Sequence, residues 1–249
     1  MRKQILAVMV SLSVVLSGCS SQSTESMLQE VKKDTKEIKS GKVTLSLSLS
    51  DEKEGSKGNT GYEMSGDEKF DPLELKMNGK FSGLGKGLEV EDYIKDGVYY
   101  TKNGVGSKAI WFKKKVSTDN KHALSFKSES LNMNDDILNL LDNKDNWDVT
   151  KDGDKVTFKL KKTDELKNKV KEIHNKELKK DLKFSEFDYN IEYVFNKKTN
   201  DVEKLYFELS TKTEGTTSKA TNKGSLEEIN KEVNIELPEE SKKALEMLA

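Results

Sequence analysis

The stretch VTLSLSLS, residues 43–50, decides the fold, because apolar and hydroxyl-bearing side chains alternate along it without interruption. Successive side chains of a β-strand point to opposite faces of the sheet, so a period of two places all the apolar residues on one face. The apolar set is Val43, Leu45, Leu47 and Leu49. The pattern predicts a half-buried strand with one apolar and one hydroxylated face.

The residues before this strand predict an amphipathic helix. Leu28, Val31, Thr35 and Ile38 recur at spacings of three and four, which places them on one helical face. Ser26 with Gln29 three residues later has the spacing of a capping box, so we expect the helix to begin near Ser26. Ser40-Gly41 predicts its end.

The residues after it predict more strands and two further helices. Asp96-Gly97 and Asp152-Gly153 lie between strand-like runs and indicate hairpins. Asn134 and Thr163 are suited to cap helices, the second with Leu166, Val170 and Ile173 on one face. Further strands are expected around Tyr62 and Met64, from Leu73 to Phe81, and from Ala109 to Phe112.

The last third of the chain is also predicted to be mostly strand. Two strands are joined by residues 196–201, and the polar run 213–224 is either a strand continuation or a loop. Val233, Ile235 and Leu237 alternate in a final strand that Pro238 ends, opening a helical turn. Strands and helices that occur in separate runs indicate an α+β fold with an antiparallel sheet rather than alternating βαβ units.

The first residues predict export and a lipid anchor. Arg2 and Lys3 precede an apolar run from Ile5 to Leu16, which is too short to cross a bilayer as a helix and has the length of a signal-peptide core. Leu16-Ser17-Gly18-Cys19 resembles the lipobox of bacterial lipoproteins. That resemblance implies cleavage after Gly18 and a diacylglyceryl group on Cys19, the only cysteine in the chain.

These observations predict three segments and a cellular location. Residues 1–18 form a lipoprotein signal peptide, residues 19–25 a lipidated tether, and residues 26–249 a single domain. The protein is expected on the extracytoplasmic face of the cell membrane, because two or more acyl chains hold a protein stably on a bilayer. A simple signal peptide cut elsewhere, and a Cys19 that is merely buried, are the alternatives.

The composition of the chain limits the kinds of partner that it can be expected to bind. Charged residues make up 35% of the sequence and hydrophobic ones 33%, the formal net charge is −1, and Arg2 is the only arginine. Without arginine the mature chain lacks the bidentate forks that read phosphates and guanine edges, so a nucleic-acid partner is not expected. One cysteine also excludes an internal disulfide.

No pattern of catalytic or metal-binding residues is recognised. The GxSxG motif is absent, and aspartates 142, 145, 148, 152 and 154 do not have the spacing of a calcium loop. His122 and His174, the only histidines, do not suffice for zinc without a free thiol. We therefore expect no enzyme activity, metal or cofactor.

Three segments carry a family resemblance. VEDYIKDGVYYTK, VFNKKTNDVEKLYFEL and VNIELPEESKKA resemble segments of a Gram-positive lipoprotein family of unknown function, which is similar to the LolA and LppX group of lipoprotein and lipid carriers. The resemblance implies a curved antiparallel sheet, a half-barrel packed on a few helices, with an apolar cavity between them. It supplies no catalytic residues.

The resemblance and the alternating strands together lead to a hypothesis about function. A tethered surface protein would hold a lipid or other apolar ligand on the inner face of the sheet. The candidate lining residues are Leu45, Leu47, Leu49, Met64, Leu75, Met77 and Phe81.

The alternative is that the same residues pack under the helices as core, and that the protein is a surface module binding an unidentified protein. A third hypothesis concerns residues 11–18, whose apolar octapeptide resembles the mating pheromones released from lipoprotein signal sequences.

Overall fold

The computed structural model describes residues 22–53, 56–83, 87–104, 109–116 and 125–247. The helices are α1 (Thr24–Lys36), α2 (Phe126–Glu129), α3 (Asp135–Leu138) and α4 (Asp164–Leu178), with short 3-10 turns at Leu131–Met133, Asn139–Asp142, Lys144–Asn146 and Glu239–Lys243. The strands are β1 (Ser40–Lys53), β2 (Ser56–Phe70), β3 (Leu73–Ser82), β4 (Leu88–Lys95), β5 (Val98–Gly104), β6 (Ile110–Lys115), β7 (Trp147–Asp152), β8 (Lys155–Leu160), β9 (Phe184–Asn196), β10 (Asp201–Thr213), β11 (Ser218–Glu227) and β12 (Leu245–Glu246).

Within the described residues, these strands form one curved, open sheet in the order β12-β6-β5-β4-β3-β2-β1-β11-β10-β9-β8-β7. Every neighbouring pair is antiparallel except β12 and β6, which are parallel. From β1 the chain moves outward through hairpins to β6, returns through α2 and α3 to the opposite edge at β7, and works back to β11 beside β1. The prediction of an α+β fold built on an antiparallel sheet is confirmed.

Strand β1 lies in the middle of the sheet, where its alternation has the largest effect. It pairs with β2 on one side and β11 on the other, so that Val43 is opposite both Gly66 and Leu226. Val43 is fully buried on the side where the helices lie, here called the inner face, and Thr44 is exposed on the outer face. The strand predicted for residues 43–50 is confirmed and extends at both ends.

The main core lies between the inner face and the helices. Leu28 and Val31 of α1 and Val170 of α4 are completely buried against sheet residues such as Phe195 and Leu205. Trp147 donates its indole N–H to the carbonyl of Leu140 at 2.9 Å, which satisfies its one polar atom inside the core.

The beginning of α1 differs from the sequence expectation. The helix begins at Thr24, and the hydroxyl of Ser23 accepts the backbone N–H of Ser26 at 3.1 Å. Ser26 therefore lies in the first turn, and the capping box expected from Ser26 and Gln29 is wrong. The caps expected at Asn134 and Thr163 are confirmed, since both side chains accept helix N–H groups.

The end of the chain also departs from expectation. Residues 231–238 form no strand, although Ile235 is buried against Tyr93 and Trp111 on the outer face, with Val233 and Leu237 beside them. The alternation is thus satisfied by packing across the sheet, without ladder hydrogen bonds. Pro238 precedes a 3-10 turn as predicted, and β12 then pairs with the edge strand β6.

Candidate functional site

Packing covers the inner face of the sheet unevenly. Near the beginning of β1, Val43 and its neighbours Leu75, Met77 and Ile94 are buried in the main core. Toward the other end of β1 the covering becomes incomplete. The residues there form what we call the apolar strip: Leu45, Leu47, Leu49, Tyr62, Met64 and Phe81.

Members of the apolar strip differ in exposure. All members except Leu49 are half-buried, and two of them, Leu45 and Met64, also pack against the main core. Leu49 is 41% exposed, and the rings of Tyr62 and Phe81 lie 5.9 Å apart. Apolar side chains of this size, adjacent on one face and incompletely covered, are typical of a surface that binds another apolar group.

Beside the strip, a cavity of about 390 Å³ lies between the sheet and the helices. Phe207 and Leu209 of β10 and Asn222 of β11 form its floor. Its other lining residues come from the segment around α2 and from α4; they are Lys127, Ser128, Ser130, Leu131, Asn134, His174, Glu177 and Leu178. None of the seven candidate lining residues named from the sequence, all of which the structure describes, lines this cavity.

Strand register joins the cavity to the strip. Leu209 is opposite Asn222, which is opposite Leu47, and Leu47 is in turn opposite Tyr62. Because directly opposed residues of an antiparallel pair point to the same face, the cavity floor continues into the apolar strip. The two features together form one groove across five strands, here called the inner groove.

Helix α4 forms the roof of the cavity. The hydroxyl of Thr163 caps its beginning, and Lys179 ends it in the left-handed conformation at φ 51°. His174 projects from its last turns and packs 5.9 Å from the ring of Phe184. Burial lowers the pKa of His174, so the imidazole is neutral at pH 7.

A buried carboxylate fixes the other side of the cavity. Glu68 of β2 is 1% exposed and accepts hydrogen bonds from the hydroxyl of Ser125 and from the backbone N–H of Phe126, the latter at 3.0 Å. Phe126 lies 6.1 Å from Phe207, ring to ring. Desolvation raises the pKa of Glu68 to about 7 despite these bonds. Glu68 therefore positions α2 over the floor of the cavity.

The structure places the seven candidate lining residues in two environments. Leu75 and Met77 are 4% and 5% exposed and belong to the main core. Leu45, Leu47, Leu49, Met64 and Phe81 lie on the strip. The cavity residues of β10 and α4 could not be identified from the sequence, because the alternation in YFEL predicts a strand without revealing which strand it joins.

Two further depressions are larger than the cavity under α4. One, of about 710 Å³, is lined mostly by outer-face residues such as Glu63, although Leu45 and Met64 of the apolar strip also line it. The other, of about 1210 Å³, has charged residues of both signs around it, including Lys39 and Asp201, which makes it less suited to an apolar ligand.

Among the described residues, no group of three or more potential ligands could hold a metal ion, and no helix is long and apolar enough to span a membrane. Of the aspartate-rich stretch, residues 148–154 belong to the predicted β7–β8 hairpin, whereas Asp142 and Asp145 lie in the 3-10 turns before it. Gly18, Cys19 and His122 lie outside the described residues, so cleavage and lipidation stay predictions.

Comparison with known proteins identifies a family. Residues 23–246 match a family of unknown function, DUF6612. The chain belongs to this family. No curated protein matches it.

Two solved structures share a general resemblance with this DUF6612 chain. One is a DUF1329 family protein from Desulfovibrio piger, with 10% identity, a TM-score of 0.27, and coverage of 84% of this chain and 93% of that one. The other is the ywiB protein from Bacillus subtilis, with 6% identity, a TM-score of 0.21, and coverage of 76% and 92%.

Proposed function

We propose that this protein is a non-enzymatic binding protein for a lipid or other apolar ligand, held in the inner groove and tethered to the outer surface of the cell membrane. The observation that carries the proposal is the continuity between the cavity under α4 and the incompletely covered apolar strip. An apolar chain could begin under α4 and extend over Leu47 toward Phe81.

The size and lining of the groove support this proposal. Ligand sites in proteins are typically clefts of about 300–1,000 Å³ with mostly apolar walls and a few polar groups. The cavity of about 390 Å³ falls within that range. Leu131, Leu178, Phe207 and Leu209 are its apolar lining residues and the others are polar or charged, so most of the apolar surface for a ligand would come from the adjoining strip. Each buried methylene of a ligand would add about 0.8 kcal/mol of hydrophobic stabilisation.

The tether is supported by the sequence. Arg2, Lys3, the apolar run and the lipobox at Cys19 agree with one another, and the resemblance to LolA- and LppX-like carriers favours a lipid ligand. Replacement of Cys19 by Ala should abolish metabolic labelling of the protein with palmitate and leave the signal peptide uncleaved, which mass spectrometry detects as a heavier polypeptide. Palmitate labelling that persists in the variant would refute the anchor without affecting the groove.

Ligand binding can be tested with the Cys19→Ala full chain, purified and titrated with a fluorescent fatty acid. Leu47→Lys would place a charge in the middle of the strip and should weaken binding about tenfold or more, because a buried charge must be desolvated. Val149→Lys is the matched control, since Val149 is a 36% exposed apolar residue on the edge strand β7. Absence of binding, or equal effects of both substitutions, would contradict the proposal.

A second function is favoured by the exposure of Leu49. At 41% exposure, this leucine could contact a protein partner instead of a small ligand. Crosslinking on intact cells from a photoreactive residue at position 49 distinguishes the two, since a protein-sized adduct that requires an intact strip favours the interaction module.

A further inference from the structure

Ser130 is a buried polar residue without a partner at the edge of the cavity. It is 4% exposed, and its hydroxyl oxygen makes no hydrogen bond. It occupies the N-cap position of the 3-10 turn Leu131–Met133, yet no side-chain capping bond is formed there. Since buried hydroxyls are normally hydrogen-bonded, Ser130 leaves one donor unsatisfied beside the cavity that the residue lines.

Lys127 supplies a positive charge to the same cavity. It is exposed, and within the described residues no carboxylate forms an ion pair with its ammonium group. It lines both the cavity and the neighbouring charged depression, which places it at the rim. Glu177, the acidic residue of the lining, accepts a hydrogen bond from the amide of Asn134 at 2.6 Å, which fixes the position of its carboxylate without supplying a positive charge.

We propose that the inner groove selects amphiphiles with a single apolar chain and an anionic head group, a carboxylate or a phosphate. The head group accepts a hydrogen bond from the hydroxyl of Ser130 and pairs with the ammonium of Lys127. The apolar chain lies over Leu209 and continues along the strip past Leu47. This assignment rests on the proposed binding function and adds the chemical class of the ligand.

The proposal is tested with three ligands that share an oleoyl or oleyl chain. Oleate, oleoyl lysophosphatidate and oleyl alcohol are titrated against the full chain carrying Cys19→Ala. A charge-assisted hydrogen bond should make oleate or the lysophosphatidate bind about tenfold more tightly than the alcohol. The tighter of the two anions identifies the head group.

Lys127→Met and Ser130→Ala should each weaken binding of the tighter anion about tenfold and leave the alcohol unchanged. Lys169→Met, on the exposed surface of α4, is the control and should change neither. Because the hydroxyl of Ser130 has no partner in the free protein, Ser130→Ala should not lower the unfolding temperature without ligand.

The outcomes separate the two proposals. If the alcohol binds as tightly as both anions, or if the variants weaken alcohol and anion equally, the head-group assignment is overturned and the apolar groove stands. If none of the three binds, the proposed function fails and the assignment with it.

Discussion

Glu68, which positions α2 over the cavity, also has a pKa that makes the stability of the fold depend on pH. Its folded-state pKa is raised to about 7 from an ordinary value of 4.5, with burial as the main cause. Between these values the native chain holds a proton that the unfolded chain has released. The contribution to stability is therefore full below pH 4.5 and is lost as the pH rises through about 7.

The resulting prediction compares the wild-type protein with Glu68→Gln, which cannot titrate. The free energy of unfolding of the wild type, relative to the variant, should fall by up to about 3 kcal/mol between pH 4.5 and 8 and then level off. Urea denaturation at a series of pH values measures this difference. Parallel profiles for the two proteins would show that Glu68 does not titrate in this window.

Gly224 is required by the aromatic floor of the cavity. A Cβ atom at this position would lie 2.3 Å from Cε1 of Phe207, whose ring is fully buried and cannot move aside. Gly224→Ala should therefore destabilise the protein by about 1–3 kcal/mol, whereas Ser225→Ala, the next residue on the outer face, should have a much smaller effect.

The cause can be checked with a double-mutant cycle. Combining Gly224→Ala with Phe207→Leu removes the overlapping atoms, so the two effects should be less than additive. Additive effects, measured as unfolding free energies, would place the cost of Gly224→Ala elsewhere than at the ring of Phe207.

Among the elements, the C-terminal segment is expected from its sequence to form a strand, but its alternating residues pack against the sheet without joining it. Ile235 is 1% exposed between Tyr93 and Trp111, on the face of the sheet opposite to the main core. Trp111 therefore reports on this small cluster, while Trp147 reports on the main core. The two tryptophans allow the elements to be monitored separately.

Ile235→Ala should loosen the C-terminal segment without unfolding the sheet. We expect a loss of about 2 kcal/mol in the local cluster, a red shift of the tryptophan emission, and faster tryptic cleavage at Lys231. Trp111→Phe is the control background, in which the shift should vanish. A shift that persists there would mean that the main core around Trp147 is also disturbed.

Features that are set by neighbouring residues can be predicted from the sequence, whereas features that depend on distant residues cannot. Turns and caps are set by neighbouring residues, so the hairpin at Asp96-Gly97 and the cap at Thr163 are confirmed. The capping box at Ser26 is wrong because Ser23, three residues earlier, takes the same role. The sequence could not reveal that the segment around Ile235 forms no strand. Apolar and polar residues alternate in the same way whether an extended segment joins a sheet or packs across it.

For the whole molecule, the inner groove depends on which strands become neighbours. The alternation of β1 predicts an apolar face, and five of the seven candidate residues lie on the strip. The cavity exists because β11 returns to pair with β1, which brings Leu209 and Asn222 beside Leu47. That pairing joins residues more than 160 positions apart, and no local pattern specifies it.

The proposed anchor and the open strip lie at opposite ends of the sheet. Gln22 donates to Asn200 in the β9–β10 turn at 3.1 Å, and that turn is at the end of the sheet where β1 begins. Cys19 precedes Ser23 by four residues, a reach of at most about 14 Å. Leu49 lies nine residues along β1 from Ser40, or about 30 Å away. With the proposed anchor at Cys19, the strip should therefore be held away from the bilayer.

This orientation can be measured because Cys19 is the only cysteine in the chain, and the proposed acylation would occupy its thiol. Single cysteines are introduced at Lys198, in the β9–β10 turn, or at Asn59, on β2 near the far end of the sheet, and labelled with a fluorophore. In vesicles with quenching head groups, the label at 198 should be quenched and the label at 59 should not. If both labels are quenched, the groove lies against the membrane that carries the proposed anchor. The expected difference would mean that a ligand reaches the strip from the extracellular side.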